Sequence, residues 1–197
     1  MTDPQAGAVV PQVLRLLEHR PATLGTGRLI CVDGPAGSGK TTLAECLAQC
    51  LTEHRDATVV HMDDLYDGWD GLPHVGDQLD TLLLPLAEGR PGWYRRYDWH
   101  AGAYDGVVTV PPTPLLILEG VGSGSAAYDR LRTALVWVEA PYRVRRRRAL
   151  ERDGDTFRTH WAAWTREEEQ LFARDRTRER ADLVVRTAPA SAADGAG

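Results

Sequence analysis

Apolar residues follow two different patterns along the chain. Short, nearly continuous apolar runs, typical of buried strands, occupy residues 28–33, 57–62, 115–119, 135–139 and 181–185. Apolar residues at helical spacing fill segments between and around these runs, at residues 8–20, 42–51, 78–88, 144–153 and 161–174. Strands that alternate with helices form parallel sheets covered on both faces. The pattern therefore predicts an α/β fold with a five-stranded parallel sheet and a ligand at the carboxyl ends of the strands.

Two stretches depart from this alternation. Residues 93–110 are rich in aromatic side chains and alternate in polarity, which predicts short strands around a loop at 98–102. Residues 188–197 are small and polar, and we expect them to form a disordered tail. A chain of 197 residues suits one α/β domain. We expect that domain to cover residues 1–187, with an insertion at about 63–110 and a small helical lid at about 145–165.

The composition is that of an ordinary soluble globule, with 43% hydrophobic and 26% charged residues. The net charge of −5 argues against a dedicated nucleic-acid-binding protein. No apolar run approaches the roughly 18 residues of a membrane span, and the first residues do not resemble a signal peptide. Cys31, Cys46 and Cys50 fall in predicted core elements with no further ligand pair, which favours buried reduced thiols over a zinc site. These features predict a cytoplasmic protein.

A glycine-rich segment joins the first predicted strand to the helix that follows it. The segment fits the phosphate-binding pattern of Gly, four residues, Gly-Lys and then Ser or Thr. Glycines let backbone N–H groups curl around an anion, and the start of the helix adds its positive dipole end. Lys40 can neutralise the β- and γ-phosphates, and the Thr41 hydroxyl is placed to bind Mg²⁺. The residues predicted to bind the nucleotide are Gly34, Pro35, Ala36, Gly37, Ser38, Gly39, Lys40, Thr41 and Thr42. The segment predicts a P-loop NTPase fold with ATP and Mg²⁺ as cofactors.

Acidic residues follow two of the predicted strands. Glu119 ends its strand in the manner of a Walker B acid, and we expect it to bind Mg²⁺ together with Thr41. Asp63 and Asp64 follow another strand, and strand alternation would send their side chains to opposite faces. We assign Asp63 as the general base, or the orienting group, for a hydroxyl that would accept a phosphate from the nucleotide. It is also a further candidate metal ligand. Turn-forming acids without a catalytic role are the structural alternative.

Arginines crowd the predicted helix at residues 144–153. Helical geometry places Arg145, Arg148 and Arg152 in one narrow stripe, which suits a lid that clamps a transferring phosphate. Arg148 is assigned a catalytic role, and the other two are assigned to nucleotide binding. The remaining arginines of the helix point elsewhere and are expected to be solvated.

In this order, the residues resemble the uridine kinase and phosphoribulokinase group of P-loop kinases, from about residue 28 to residue 185. Asp63-Asp64-Leu65-Tyr66 is similar to the Asp-Asp-Phe-Tyr element of uridine kinases, in which the first Asp is the acid–base group and the Tyr contacts the nucleoside. Tyr97-Asp98-Trp99 resembles the family's Tyr-Asp-Phe in the acceptor pocket. Glu119-Gly120 resembles its Glu-Gly, and the stretch from Arg145 to Asp153 resembles its lid helix. The family's Arg-Gly-Arg after that helix is absent.

The residues expected to bind the acceptor are Asp63, Tyr66, Asp70, Tyr97, Trp99 and His100. His100 is included for its place in an aromatic loop, and an exposed loop residue without a role is the alternative. His61 is expected inside its strand, and His160 is given no role.

The resemblance implies transfer of the γ-phosphate of ATP to a hydroxyl of a small molecule, with a nucleoside such as uridine or cytidine as the first choice. Neither nucleic acid nor a membrane is an expected partner. A sugar or a vitamin precursor as acceptor, and an ATP-binding module without turnover, are the alternatives. The chain has no Asn-Lys-x-Asp element of regulatory GTPases and no Leu-Ser-Gly-Gly-Gln signature of transporter ATPases. The sequence leaves open the choice between ATP and GTP, and whether the chain forms a homo-oligomer.

Overall fold

The computed structural model describes residues 4–52 and 56–187. Helices and strands alternate through most of this part of the chain. The strands are β1 (Arg28–Asp33), β2 (Ala57–His61), β3 (Gly92–Asp98), β4 (Ala103–Val110), β5 (Leu115–Glu119), β6 (Ala134–Glu139) and β7 (Leu183–Arg186). The helices are α1 (Pro4–His19), α2 (Lys40–Thr52), α3 (Gly76–Ala87), α4 (Tyr142–Asp175) and α5 (Thr177–Arg180).

Five strands form one sheet in the order β2-β5-β1-β6-β7. Every neighbouring pair in this sheet is parallel. β1 lies at its centre, so the glycine-rich segment that follows β1 leaves the middle of the sheet, beside the end of β5. The predicted α/β fold with a five-stranded parallel sheet is confirmed.

Alternate residues of the central strands pack into two separate apolar layers. Ile30 and Val32 of β1 pack with the buried faces of α1 and α2. Leu29 and Cys31 face the opposite layer, which contains the buried residues of α3 and α4. Both faces of the sheet are therefore covered, as expected for parallel strands with helical connections. Of the three cysteine thiols, Cys31 is fully buried and only Cys50 is partly exposed.

The aromatic stretch after α3 forms an antiparallel hairpin of β3 and β4, separate from the main sheet. This confirms the prediction of short strands around residues 98–102. The side chain of Gln78 in α3 fastens the hairpin to the domain. Its Nε2 donates to the Arg95 carbonyl oxygen at 3.1 Å, and its Oε1 accepts from the Arg95 N–H at 3.1 Å.

The two helices predicted at residues 144–153 and 161–174 belong to one segment, α4, which bends sharply at Gly154. Gly154 has φ 66° and ψ −150°, a conformation that essentially only glycine adopts. The bend brings the two halves of α4 together, since Arg145 in the first half lies 3.1 Å from Glu168 in the second. Gly154 therefore separates the two helical halves, where the sequence pattern suggested a connecting loop.

One prediction falls on residues that the structure does not describe. The predicted disordered tail at 188–197 lies outside the described residues. The boundaries of the single domain, its insertion and its lid stay predictions. Among the described helices, none combines the length and apolar character needed to cross a membrane.

The bend at Gly154 provides a test of the fold. A Cβ at this position would meet nothing within 4 Å, so the cost of Gly154→Ala is one of backbone conformation alone. We expect this variant to lose about 1–3 kcal/mol of unfolding free energy in urea titrations. Gly76→Ala is the matched control, because a Cβ there also meets nothing within 4 Å and the residue begins α3. The control should be neutral or slightly stabilising, since alanine favours helix. Equal stability of the two variants would contradict a glycine-dependent bend.

Candidate active site

The glycine-rich segment curls between the end of β1 and the start of α2. Gly34, Gly37 and Gly39 have φ values of 145°, 75° and 97°, which side-chain-bearing residues rarely adopt. A Cβ on Gly34 would lie 2.0 Å from the Val138 carbonyl oxygen, so no other residue fits there. Lys40 begins α2, and its Nζ donates to the Pro35 carbonyl oxygen at 3.2 Å. The loop thus has the shape and the positive charge of a phosphate cradle.

A buried carboxylate, which the sequence reasoning missed, holds the base of this loop. Asp33 is fully buried and accepts from the N–H groups of Gly34 at 2.7 Å, Gly122 at 3.0 Å and Gly124 at 2.8 Å. Burial raises the pKa of Asp33 to about 6, and the three N–H donors and Lys40 oppose this shift. Asp33 therefore links the phosphate loop to the segment after β5. Its position as the last strand residue before the loop was the available signal.

The outer side of the loop rests on α4. Glu168 is almost fully buried and accepts from the Ala36 N–H at 2.8 Å. Arg145 donates to the Ala36 carbonyl oxygen and to Glu168, both at 3.1 Å. Arg145 was predicted to bind the phosphates from a lid, but the structure places it beneath the loop with its guanidinium engaged by these partners. Glu168 was not identified from the sequence.

Oxygen ligands suitable for a metal ion lie beside the start of α2. The Thr41 hydroxyl lies 3.2 and 3.3 Å from the two carboxylate oxygens of Glu119, which is nearly fully buried. Mg²⁺ prefers hard oxygen ligands and keeps several waters, so one hydroxyl and one carboxylate beside bound phosphates suit it. The described residues contain no cluster of three or more His, Cys, Asp or Glu that could enclose a metal. The Thr41–Glu119 pair therefore fits a magnesium ion that is shared with a nucleotide.

His61, expected inside its strand, is the last residue of β2, and its side chain reaches Glu119. Its Nδ1 lies 2.9 Å from Glu119 Oε1. The hydrogen bond to Glu119 raises the pKa of His61, and partial burial of the ring opposes this shift. The sequence signal was present, because His61 precedes Asp63 by two residues, but strand periodicity alone could not reveal its partner on β5.

Asp63 and Asp64 lie in a 3₁₀ turn that follows β2, rather than in the strand. The strand-alternation argument for separating them was therefore wrong, although their surroundings do differ. Asp63 interacts electrostatically with Arg152, Glu119 and Lys40. Part of the Asp63 surface is exposed to solvent. Many protein atoms nonetheless surround its carboxylate, and the resulting desolvation raises the pKa of Asp63. The positive charges of Arg152 and Lys40 lower it.

Asp64 faces a different set of groups. Desolvation raises its pKa, and the charges of His61 and Arg96 with a hydrogen bond from Tyr94 oppose the shift. Because Tyr94 and Arg96 belong to the β3–β4 hairpin, Asp64 points toward the hairpin side of the turn. Of the two acids, Asp63 is the one grouped with the phosphate loop.

The predicted arginine stripe lies on the side of α4 that faces the loop, but its members have different partners. Arg148 donates to the Thr187 hydroxyl at 2.9 Å and to the Thr187 carbonyl oxygen at 3.0 Å. Thr187 in turn donates to the carbonyl oxygen of Ser38 in the phosphate loop. Arg152 forms two hydrogen bonds to Asp153, at 2.8 and 2.7 Å, and its charge interacts with Asp63 and Glu119.

Arg146 and Arg147 are exposed, as expected for solvated residues, and line a solvent-open hollow of about 500 Å³ with Arg143 and Arg158. Among the three arginines of the predicted stripe, Arg152 is the one whose charge interacts with Asp63 and Glu119.

The residues predicted to bind the acceptor are only partly brought together. Trp99 donates from Nε1 to the Asp63 carbonyl oxygen at 2.9 Å, and the Tyr97 ring packs against it at 5.2 Å. Tyr66 is fully buried, and its hydroxyl donates to the Val121 carbonyl oxygen at 2.7 Å. The structure therefore places Tyr66 in the core and not on a surface that an acceptor could touch.

Asp70 and His100 are exposed. The N–H of His100 donates to Asp98 Oδ1 at 2.8 Å, in a turn that also includes the N–H of Ala101 at 3.0 Å. These two hydrogen bonds lower the pKa of Asp98. His100 is thus fixed through its backbone at the tip of the hairpin.

Trp69 joins the residues predicted to bind the acceptor, which form the acceptor side of the site, to the second half of α4. Its ring stacks on His160 at 4.5 Å and on Phe157 at 5.2 Å, and it meets Trp99 edge-on at 4.8 Å. Phe157 and His160 follow the bend at Gly154 closely, so the predicted lid packs on the aromatic residues beside Asp63. His160, to which the sequence assigned no role, belongs to this contact.

Comparisons with known proteins support the fold. No family model matches the chain. A uridine kinase from Lactobacillus helveticus (strain DPC 4571) is 28% identical over 142 residues, which cover 64% of this chain and 67% of that kinase. A solved structure of a possible uridine kinase from Bacillus stearothermophilus matches with a TM-score of 0.66 at 20% identity, over 91% of this chain and 96% of that one. The chain has the fold of the uridine kinase-like P-loop kinases.

A cytidylate kinase from Halobacterium salinarum (strain ATCC 29341 / DSM 671 / R1) is 27% identical over 145 residues, or 65% of this chain. The match spans 60% of that kinase's length. The resemblance to uridine kinase-like proteins that the motifs indicated is thus confirmed. The roles of individual site residues stay predictions.

The contact between α4 and the phosphate loop provides a second test. Glu168→Ala would leave the Arg145 guanidinium buried without its carboxylate and the Ala36 N–H without its acceptor. Removing one partner of a buried ion pair typically costs about 3–5 kcal/mol, and we expect a loss of this size in urea unfolding.

Glu151→Ala is the matched control, because Glu151 lies on the same helix and pairs at 3.9 Å with Arg147, both side chains being exposed. Such surface pairs contribute about 0–1 kcal/mol. A similar loss of stability for both variants would contradict the assigned role of Glu168.

Proposed function

We propose that this protein is an ATP-dependent kinase that transfers the γ-phosphate to a hydroxyl of a small molecule. The observation that carries the proposal is the grouping of Asp63 with Lys40, Glu119 and Arg152 at the carboxyl end of the sheet, beside a curled phosphate loop. Phosphoryl transfer needs mainly positioning and neutralisation of charge, and these groups supply both. The uridine kinase and cytidylate kinase among its relatives support the same class of reaction.

Each group has a distinct task in this mechanism. The loop N–H groups and Lys40 hold the β- and γ-phosphates, and Thr41 with Glu119 would hold Mg²⁺, which neutralises phosphate charge when bound. Asp63 accepts the proton of the acceptor hydroxyl as the hydroxyl oxygen attacks the γ-phosphorus, and the bond from that phosphorus to the β–γ bridging oxygen breaks to release ADP. Desolvation raises the pKa of Asp63, which strengthens it as a base, and the positive charges of Arg152 and Lys40 oppose this shift. Arg152 supplies further positive charge beside the transferring group.

The acceptor side favours a molecule without a phosphate group. Its exposed or half-exposed groups are aromatic or acidic, namely Trp69, Asp70, Tyr97, Asp98 and Trp99. The arginines of the hairpin are engaged within it, since Arg96 pairs with Asp105 at 3.2 Å and Arg95 lies 3.8 Å over the Tyr104 ring. An anionic acceptor such as a nucleoside monophosphate would need free arginines or lysines. We therefore place uridine or cytidine first, and an uncharged sugar or vitamin precursor second.

A panel of acceptors tests the proposal directly. Coupled ADP release is measured with ATP and Mg²⁺ in the presence of uridine, cytidine, cytidine monophosphate, hexoses and pantothenate-like alcohols. We expect acceptor-dependent turnover with an uncharged member of the panel, and none with Lys40→Ala. Turnover with cytidine monophosphate alone would overturn the assignment of acceptor charge. ATP binding without turnover for any acceptor would favour a binding module.

The two adjacent acids give a sharp comparison at the catalytic step. Asp63→Asn should lower kcat by a factor on the order of 10²–10⁴, the usual range for a positioned acid or base. Asp64→Asn, with the same chemical change one residue away, should cost much less because Asp64 faces the hairpin. Turnover is measured at saturating ATP with the acceptor found in the panel. The reverse ranking would mean that Asp64 is the base.

Conservative substitutions distinguish the roles of the arginines in α4. Arg152→Lys keeps the positive charge but loses the planar guanidinium that donates two hydrogen bonds to Asp153, so the lysine should not replace the arginine in activity. An arginine at a transferring phosphate is worth roughly 10³–10⁵ in rate in related systems, so a large loss in kcat is expected. Arg146→Lys is the control on the exposed side of the same helix and should be silent. An inactive Arg146→Lys with an active Arg152→Lys would show that the exposed face is the functional one.

A further inference from the structure

The sheet register brings a histidine to the acid expected to bind magnesium. β2 and β5 are parallel, and His61 and Glu119 are paired residues at their carboxyl ends. Paired residues on neighbouring strands point to the same face of a sheet, about 5 Å apart. The contact between His61 Nδ1 and Glu119 Oε1 at 2.9 Å is thus a product of the fold and not of a chance side-chain approach.

Within the described residues, two side chains supply the hydrogen bonds to Glu119, and they act differently. The Thr41 hydroxyl is almost equidistant from both carboxylate oxygens, at 3.2 and 3.3 Å, so it barely distinguishes one from the other. His61 contacts Oε1 alone and at a shorter distance. An ionised carboxylate only accepts hydrogen bonds, so Nδ1 carries the proton in this contact. His61 is therefore the group that fixes the orientation of the Glu119 carboxylate about its last torsion.

We propose that His61 is a positioning residue that orients Glu119 for magnesium–ATP binding, an inference that rests on the proposed function. Its Nδ1–H occupies Oε1 and leaves Oε2, which lies 3.3 Å from the Thr41 hydroxyl, without a contact from His61. Carboxylates and histidines that ligate metals depend on such outer hydrogen bonds, and their removal typically costs 10–100-fold in metal affinity or activity. His61 itself is a donor to the metal ligand and is not a catalytic residue.

The position of the ring makes the proposal testable without disrupting the fold. The His61 side chain is 39% exposed, so its truncation opens no buried cavity, whereas Glu119 is 4% exposed on the same measure. Asparagine offers a conservative replacement, because its Nδ2 can occupy nearly the place of histidine Nδ1 and donates the same hydrogen bond. Alanine removes the donor. The two variants therefore separate the hydrogen bond from the rest of the side chain.

The experiment measures nucleotide binding and requires no turnover. Isothermal titration calorimetry gives the Kd of a non-hydrolysable ATP analogue, with an imido group between the β- and γ-phosphates, in EDTA and in saturating Mg²⁺. The ratio of the two Kd values is the tightening due to the metal. Wild type, His61→Ala, His61→Asn and the distant control His19→Ala are compared. His19 is exposed on α1, where its Nδ1 lies 2.7 Å from the Arg15 carbonyl oxygen. Thermal unfolding checks that each variant is folded.

We expect His61→Ala to lose 10–100-fold of the metal-dependent tightening while its Kd in EDTA stays unchanged. His61→Asn should recover most of the tightening, and His19→Ala should match wild type. Wild-type tightening in His61→Ala would overturn the inference, and so would an equal loss in His61→Asn, because the hydrogen bond would then not be the cause. Failure of the proposed function looks different: wild type itself would show no tightening by Mg²⁺, or Lys40→Ala would bind the analogue as wild type does.

Discussion

The phosphate loop imposes one constraint on which the rest of the site depends. A loop that points its N–H groups inward toward an anion must turn some of its polar backbone groups outward, into the protein. Buried polar groups without partners are costly, so these outward groups need specific acceptors and donors. The structure supplies them from three directions: Asp33 at the base, Glu168 and Arg145 along one side, and Thr187 with Arg148 along the other. The loop is thus held in its shape before any nucleotide arrives.

These contacts limit which part of α4 could move as a lid. Arg145 and Arg148 are bound to partners at the loop, so the first half of α4 is anchored to it. Arg152 lies one to two turns beyond these anchors and just before Gly154, whose backbone conformation breaks the helix. Under the proposed mechanism, a motion that brings positive charge to a transferring phosphate would be centred on residues near the bend. The predicted stripe thus consists of two arginines anchored at the loop and a third, Arg152, whose charge interacts with Asp63 and Glu119.

The sequence predicted elements well where periodicity and local chemistry agree. The strands, the phosphate loop and the acid at the end of β5 each carry their signal within a few residues, so the parallel sheet and the Thr41–Glu119 pair could be foreseen. Asp33, His61 and Glu168 could not, because each gains its role from a partner far along the chain. Glu168 meets Ala36 across 132 residues, and His61 meets Glu119 across 58. Tyr66 shows the converse limit, since a family motif suggested contact with substrate and the side chain is fully buried.

The acceptor side of the site is held to α4 by aromatic contacts. Trp69 packs at once against Trp99, which is bonded to the Asp63 backbone, and against Phe157 and His160 beyond the bend in α4. Aromatic pairs of this kind add about 0.5–1.5 kcal/mol each beyond the area that they bury. Under the proposed function, an acceptor that entered between Trp69 and the second half of α4 would have to replace these contacts with its own, which would favour a molecule with a flat, apolar face. A bare sugar offers fewer such contacts than a nucleoside, whose base could stack on Trp69 or Trp99. This aromatic contact is the physical reason for placing a nucleoside ahead of a sugar in the proposal.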